Sequence, residues 1–163
     1  MMDLNIREIK RSEYPLVVEF TFHSMFAPPD EEPYDRSFLT HPVVLPYHEN
    51  FGAEKSDFAV VAEVDGVIVG MAWMRVIPIY DEVDFDRPVL SLAVLPDYRG
   101  KKIGTALLDS ILELLRKNGY KGSLLTVHDK HPTRSLYERA GYEYVKLTGR
   151  EWLMSLEFAK VLG

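Results

Sequence analysis

Residues 89–117 constrain the fold more than any other stretch of this chain. An apolar run, VLSLAVL at 89–95, stops at Pro96. A short polar turn carrying Arg99 and Gly100 follows, and an amphipathic pattern then runs from Lys102 to Lys117. Ile103, Leu107, Leu108, Ile111 and Leu115 recur at helical spacing and predict one broad apolar face. Asn118-Gly119 is a C-terminal stop, and Arg116 and Lys117 in the last turn suit the helix dipole. A strand, a glycine-containing turn and a helix start, in that order, make an anion site. The first N–H groups of a helix lack intrahelical partners, and the dipole adds positive potential there.

The other elements are read in chain order. Residues 4–9 alternate apolar and polar, as a half-buried strand does. Ser12 is a candidate N-cap with Pro15 inside the first turn. The helix that follows buries Leu16, Val17, Phe20 and Phe26 and ends by Ala27, ahead of Pro28 and Pro29. Residues 28–36, PPDEEPYDR, read as a loop, either a solvated one or an acceptor-recognition lid. Residues 38–51 are expected to be helical in part, with Pro42 and Pro46 interrupting. The aromatics Tyr34, Phe38, Tyr47 and Phe51 suit either core or a pocket wall. Residues 57–64 and 67–77 are strands, with Asp65-Gly66 as a tight hairpin turn. Residues 79–88 are an acidic loop leading into the strand at 89–95. Residues 123–127 form a strand, Pro132 opens a short helix ending at Gly141, and 142–145 and 151–158 are strands turning at Gly149-Arg150.

Composition narrows the function classes. The chain has 163 residues, no cysteine and a formal charge of −6. Thiolate chemistry and disulfides are excluded. The five histidines show no metal-ligand spacing, so no metal is expected. A net negative charge argues against nucleic acid as the main partner. With no apolar run near the roughly 20 residues of a membrane span and no apolar leader, a single cytoplasmic domain over 1–163, without a membrane partner, is the expectation.

Two segments carry a resemblance to a known family. Residues 92–108, LAVLPDYRGKKIGTALL, resemble the acyl-CoA motif R/Q-x-x-G-x-G/A of the GNAT acetyltransferase superfamily. Arg99 matches its first position and Gly104 its last, while Lys102 replaces the middle glycine. Residues 131–145, HPTRSLYERAGYEYV, resemble the family's N-P-x-x-x-L-Y-E-K-x-G-F segment. Leu136, Tyr137, Glu138, Gly141 and Tyr142 match, and His131 or Lys130 stands where asparagine is common. The resemblance implies an α/β fold. Its mixed, mostly antiparallel sheet is flanked by helices and contains one splayed parallel pair, 89–95 and 123–127. The intervening helix is the crossover that this spacing permits.

The resemblance also implies acetyl-CoA as co-substrate. Backbone N–H groups between Arg99 and Thr105 (Gly100, Lys101, Lys102, Ile103 and Gly104 among them) would cradle its pyrophosphate. The side chains of Arg99, Lys101 and Lys102 then either reach phosphate or stay solvated. Backbone groups of Leu92, Ala93 and Val94 would bind pantetheine, the Val94 N–H polarising the thioester carbonyl. His131 would sit beside the cofactor. Tyr137 is the candidate general acid, since a phenol is protonated at neutral pH; its alternative is an ordinary helix tyrosine. Many family members place a carboxylate base where this chain has Leu90. Asp86 or Asp84 through water, His128, and Glu31 are the remaining candidates. The expected activity is N-acetylation of a primary amine, on a small cationic acceptor or on a protein, and a homodimer is compatible with it. A non-catalytic acyl-CoA sensing module of the same fold is the alternative. A nucleotide-binding P-loop is not, because G-x-x-x-x-G-K-[ST] is absent.

Overall fold

The computed structural model describes residues 2–159. Seven strands form one sheet in the order β1-β2-β3-β4-β5-β7-β6. They are β1 (Leu4–Glu8), β2 (Phe58–Val64), β3 (Val67–Arg75), β4 (Val89–Val94), β5 (Gly122–His128), β6 (Glu143–Thr148) and β7 (Glu151–Glu157). Three helices flank it: α1 (Leu16–Ser24), α2 (Ile103–Lys117) and α3 (Arg134–Ala140). Every neighbouring pair is antiparallel except β4–β5, as the crossover through α2 requires.

Both faces of the sheet centre are covered, which explains why β2 and β3 read as nearly continuous apolar runs. Val60, Ala62, Ala72, Met74 and Leu90 pack with Ile103, Leu107, Ile111 and Leu115 of α2. The alternate residues Ala59, Val61, Met71, Trp73 and Ala93 pack with Val17 and Phe20 of α1. The β2–β3 hairpin turns at Asp65 (φ 51°) and Gly66 (φ 83°), the two positive φ angles of the turn type expected from that dipeptide.

One expected boundary moves. Ser12 caps nothing; a single 3-10 turn covers Arg11–Glu13, and α1 begins only at Leu16. Pro15 is the reason, because it has no N–H with which to continue that turn into a helix. Residues 38–51 are helical only in part, as expected: two short 3-10 turns, Arg36–Thr40 and Leu45–Tyr47, are broken by the stretch around Pro42. This segment is tied to β3 from below. Trp73 Nε1 donates to Tyr47 O at 2.9 Å, and Arg75 Nη1 donates to Pro46 O at 2.8 Å and Glu49 O at 2.7 Å. Arg75 is itself held by Asp57, Nε to Oδ1 at 3.0 Å, with both side chains buried.

The feature that positions the site is the parting of β4 from β5. β3 and β4 stay in register from Arg75↔Val89 through Gly70↔Val94. β4 and β5 share only Val89↔Leu124, with Leu124 N–H donating to Pro88 O at 3.0 Å. Beyond that point the facing edges diverge. Among the described residues, no helix is long and apolar enough to cross a membrane.

Candidate active site

A cavity of about 360 Å³ opens where β4 leaves β5. Its walls come from residues just past α1 (Met25, Phe26), the loop and tied segment that follow (Tyr34, Phe38, Tyr47), β4 (residues 90–92), β5 (residues 125–128) and α3 (Tyr137). Three of the four aromatics from the first half of the chain therefore line a pocket. Phe51 instead is core, edge-on to Tyr14 at 5.2 Å between ring centroids.

Backbone direction decides what β4 offers to the gap. Leu95 N–H donates to Val69 O of β3 at 2.8 Å. Backbone groups alternate along a strand, so Val94 and Leu92 turn theirs toward the gap and Ala93 turns its own toward β3. Of the three pantetheine contacts expected, Ala93's backbone is thus taken up within the sheet. Arg99 also departs from a simple phosphate role: its Nε donates to Val94 O at 2.9 Å, fastening the turn to the end of β4.

The turn after β4 leaves backbone N–H groups free at the start of α2. The first bond of α2 runs from Ala106 N–H to Lys102 O at 3.2 Å, and no side chain caps its start. The N–H groups of Ile103, Gly104 and Thr105 consequently have no partner among the described residues. Gly100 (φ 75°) and Lys102 (φ 64°) both adopt the left-handed conformation. Lys102 therefore takes the conformation that suits the motif's glycine, at a cost of about 1–2 kcal/mol for an L-residue, rather than forming a first helical turn. Lys101 and Lys102 are exposed beside it. Gly104 faces inward, where an added Cβ would meet Leu136 at 3.5 Å and Leu92 at 3.6 Å.

Tyr137 lines the cavity with its phenol pushed up to about 12, by burial first, a hydrogen bond with Thr133 opposing it. It is protonated throughout the physiological range. His131 packs on Phe26 at 4.3 Å between ring centroids and accepts the Thr133 N–H at Nδ1, 3.1 Å. Burial lowers its pKa to about 4, with Arg99 and His128 adding to the effect, so it is a neutral imidazole whose proton sits on Nε2.

The base candidates fare differently. His128 lines the cavity, but its Nδ1 accepts the Lys130 N–H at 3.0 Å. The nearby Asp129 Oδ1, at 3.2 Å, is a charge contact that matters only for a protonated ring. With Nδ1 engaged by the Lys130 N–H, that nitrogen is not free to take a proton from an acceptor. Asp86 lies outside the cavity, paired with Lys121 at 3.6 Å near the joined end of β4 and β5. Asp84 is bound to Arg87 at 3.1 Å. Glu31 is not on the cavity wall.

Sequence reading missed Glu151, the sole carboxylate among the described wall residues, and Thr126 beside it. Both are short-range inconspicuous; only the pairing of β5 with β7 brings them there, Thr126↔Leu153 and His128↔Glu151. No group of three or more His, Cys, Asp or Glu able to hold a metal ion occurs among the described residues.

Solved structures share this architecture. The PaiA N-acetyltransferase of Thermoplasma acidophilum, in complex with coenzyme A, aligns at a TM-score of 0.72 and 20% identity, covering 96% of this chain and 100% of its own. The ribosomal-protein-S18-alanine N-acetyltransferase of Escherichia coli aligns at 0.66 and 18%, covering 97% and 96%. By sequence, the chain is 31% identical over 86 residues to "Probable N-acetyltransferase camello" of Xenopus tropicalis. That match spans 51% of this chain and only 37% of the relative. The family model for the acetyltransferase (GNAT) family matches residues 16–142, which takes in α1, the parted strands, the turn after β4 and Tyr137. The chain belongs to the acetyltransferase (GNAT) family.

Proposed function

We propose that this chain transfers an acetyl group from acetyl-CoA to a primary amine by direct attack in a ternary complex. The observation that carries the reading is the free edge of β4. Leu92 presents unpaired backbone groups, and Val94 a free N–H with its carbonyl taken by Arg99, to a gap that leads, at one end, to the helix start of α2 and, at the other, to a cavity holding Tyr137. Strands β1, β6 and β7, partly or wholly outside residues 16–142, belong to the same sheet, which supports one working domain.

Acetyl-CoA supplies an activated thioester. Its shape fits what is present: a slot beside a strand edge for pantetheine, and free N–H groups of Ile103, Gly104 and Thr105 for the pyrophosphate, with Lys101 and Lys102 nearby. Val94 N–H donates to the thioester oxygen, where negative charge grows during attack. The amine nitrogen forms the C–N bond as the C–S bond breaks. Tyr137 gives its proton to the departing sulfur and is reprotonated by the proton that the amine loses. No carboxylate replaces the one absent at Leu90, so the amine enters as its free base. For an ammonium of pKa about 10.4, roughly one molecule in 250 is deprotonated at pH 8.

A thiol-release assay over a panel of amines tests this. Tyr137→Phe should lower kcat by about 100-fold with little change in KM for acetyl-CoA, the lower range for loss of a general acid. An unchanged kcat overturns the acid assignment. Leu90 in place of a carboxylate favours a second reading, a non-catalytic acyl-CoA sensor. Acetyl-CoA binding with no thiol release on any amine would select it.

A further inference from the structure

Among the described residues, the cavity wall carries a single carboxylate, Glu151, and neither lysine nor arginine. Glu151 opens β7 and lies opposite His128 of β5. Cross-strand partners share a face of the sheet. Two residues back, Thr126 pairs with Leu153 on that same face. Tyr47 covers this face, packing against Leu124 and Leu153. Its phenol is raised chiefly by burial, a hydrogen bond with Thr126 opposing the shift and the negative charge of Glu151 adding to it. No hydrogen bond or ion pair engages the Glu151 side chain among the described residues, and the neighbouring Arg150 is turned away onto Asp129 at 3.1 Å.

The carboxylate is displaced from the reacting centre. Neighbouring strands lie about 4.8 Å apart, so β7 is about 10 Å from β4 where the strands are joined and farther where β4 and β5 part. The reacting nitrogen must reach the β4 edge by Val94. An ammonium held at Glu151 is therefore a different group on the same acceptor. The cavity wall also carries the aromatic rings of Tyr34, Phe38 and Tyr47, suited to methylene groups and to a cation over a ring.

We propose that Glu151 is the specificity-determining residue of the acceptor site and binds a second positive charge, so that the preferred acceptor is a diamine-type molecule with its charges separated by a short apolar chain. This rests on the acetyl-transfer reading for the identity of the other site. It makes the cavity a device for presenting one nitrogen to the gap while the other is anchored.

The matched probes 1,4-diaminobutane and butylamine differ by one ammonium group. For the full chain with acetyl-CoA, thiol release should show kcat/KM for the diamine about tenfold above that for butylamine, as one charge-assisted hydrogen bond provides. Glu151→Gln should erase that advantage through KM for the diamine. It should lower kcat/KM for the diamine more than for butylamine and leave KM for acetyl-CoA unchanged, while Glu151→Asp keeps part of the advantage. An unchanged diamine-to-butylamine ratio in Glu151→Gln overturns the proposal. So does a fall in kcat for both amines at constant KM, the mark of a proton-transfer role. Calorimetric titration of the two probes onto the protein with coenzyme A separates this inference from the one beneath it. Diamine binding that is tighter than butylamine binding and weakened by Glu151→Gln, without any thiol release, upholds the anchor and overturns the transferase reading. Equal binding of the two probes overturns the anchor, whatever the turnover.

Discussion

His131 shows how burial converts one side chain into a pH-dependent stability element. Its pKa is held down to about 4, mainly by desolvation, against 6.5 for the free side chain. Between these values the unfolded chain binds a proton that the folded chain does not, so stability rises with pH there. The contribution is complete above about pH 6.5 and is lost as pH falls toward 4. Melting temperatures measured from pH 7 to pH 4.5 should accordingly fall less steeply for His131→Gln than for the parent chain. Equal slopes would show that the ring is not the titrating group. Tyr137 has the opposite sign of consequence. Because burial raises its phenol to about 12, the proton stays available into the alkaline range. The rate should thus follow the free-base fraction of the amine, with log(kcat/KM) rising by about one per pH unit between pH 7 and 9. A downturn inside that interval would reveal a lower-pKa acid. Lys102 was a legible departure in the motif, but its left-handed φ is a property of the folded turn, where α2 must start beside the end of β4.

At the scale of elements, the acceptor wall depends on a clamp far from it in sequence. Arg75 at the end of β3 holds the Pro46 and Glu49 carbonyls and is neutralised by Asp57, whose side chain is 1% exposed. Removing the arginine leaves a buried carboxylate without its counter-charge, held only by the Gly52 and Glu54 N–H groups, and leaves two carbonyls without their donor. Arg75→Ala should therefore destabilise the fold by about 3–5 kcal/mol, read by urea denaturation, and should raise KM for the amine more than KM for acetyl-CoA. A loss under about 1 kcal/mol would mean that water replaces the clamp. The hairpin at Asp65-Gly66, α2 with its apolar face, and β4 stopping at Pro96 were all legible beforehand. Each is specified by near neighbours: turn residues that tolerate positive φ, a 3.6-residue period, a missing N–H. Residues 28–36 were legible as a loop, but the path of residues 38–57 was not, because their short turns are held by Trp73 and Arg75 rather than by their own spacing.

For the whole molecule, the sheet is continuous on either side of a single opening, and filling that opening should stabilise everything attached to it. Acetyl-CoA at about 100 times its Kd would add about 2.7 kcal/mol, which for a chain of this size is roughly 5–10 °C in melting temperature. ATP at the same concentration should give no comparable shift, since it has no pantetheine to lie along β4. Equal shifts with both ligands would indicate a general phosphate site. Local patterns in the sequence determined the strand-turn-helix with its free N–H groups and the segment bearing Tyr137, because period, turn chemistry and capping act over a few residues, while the mixed sheet around them was implied by the resemblance to the family. Tertiary structure alone decided that Glu151 and Tyr47 face the cavity, that Asp86 lies outside it, and that Ala93 spends its backbone on β3. Those outcomes follow from strand register and pleat parity between segments far apart in the chain, and a slip of one residue would have turned each side chain to the other face.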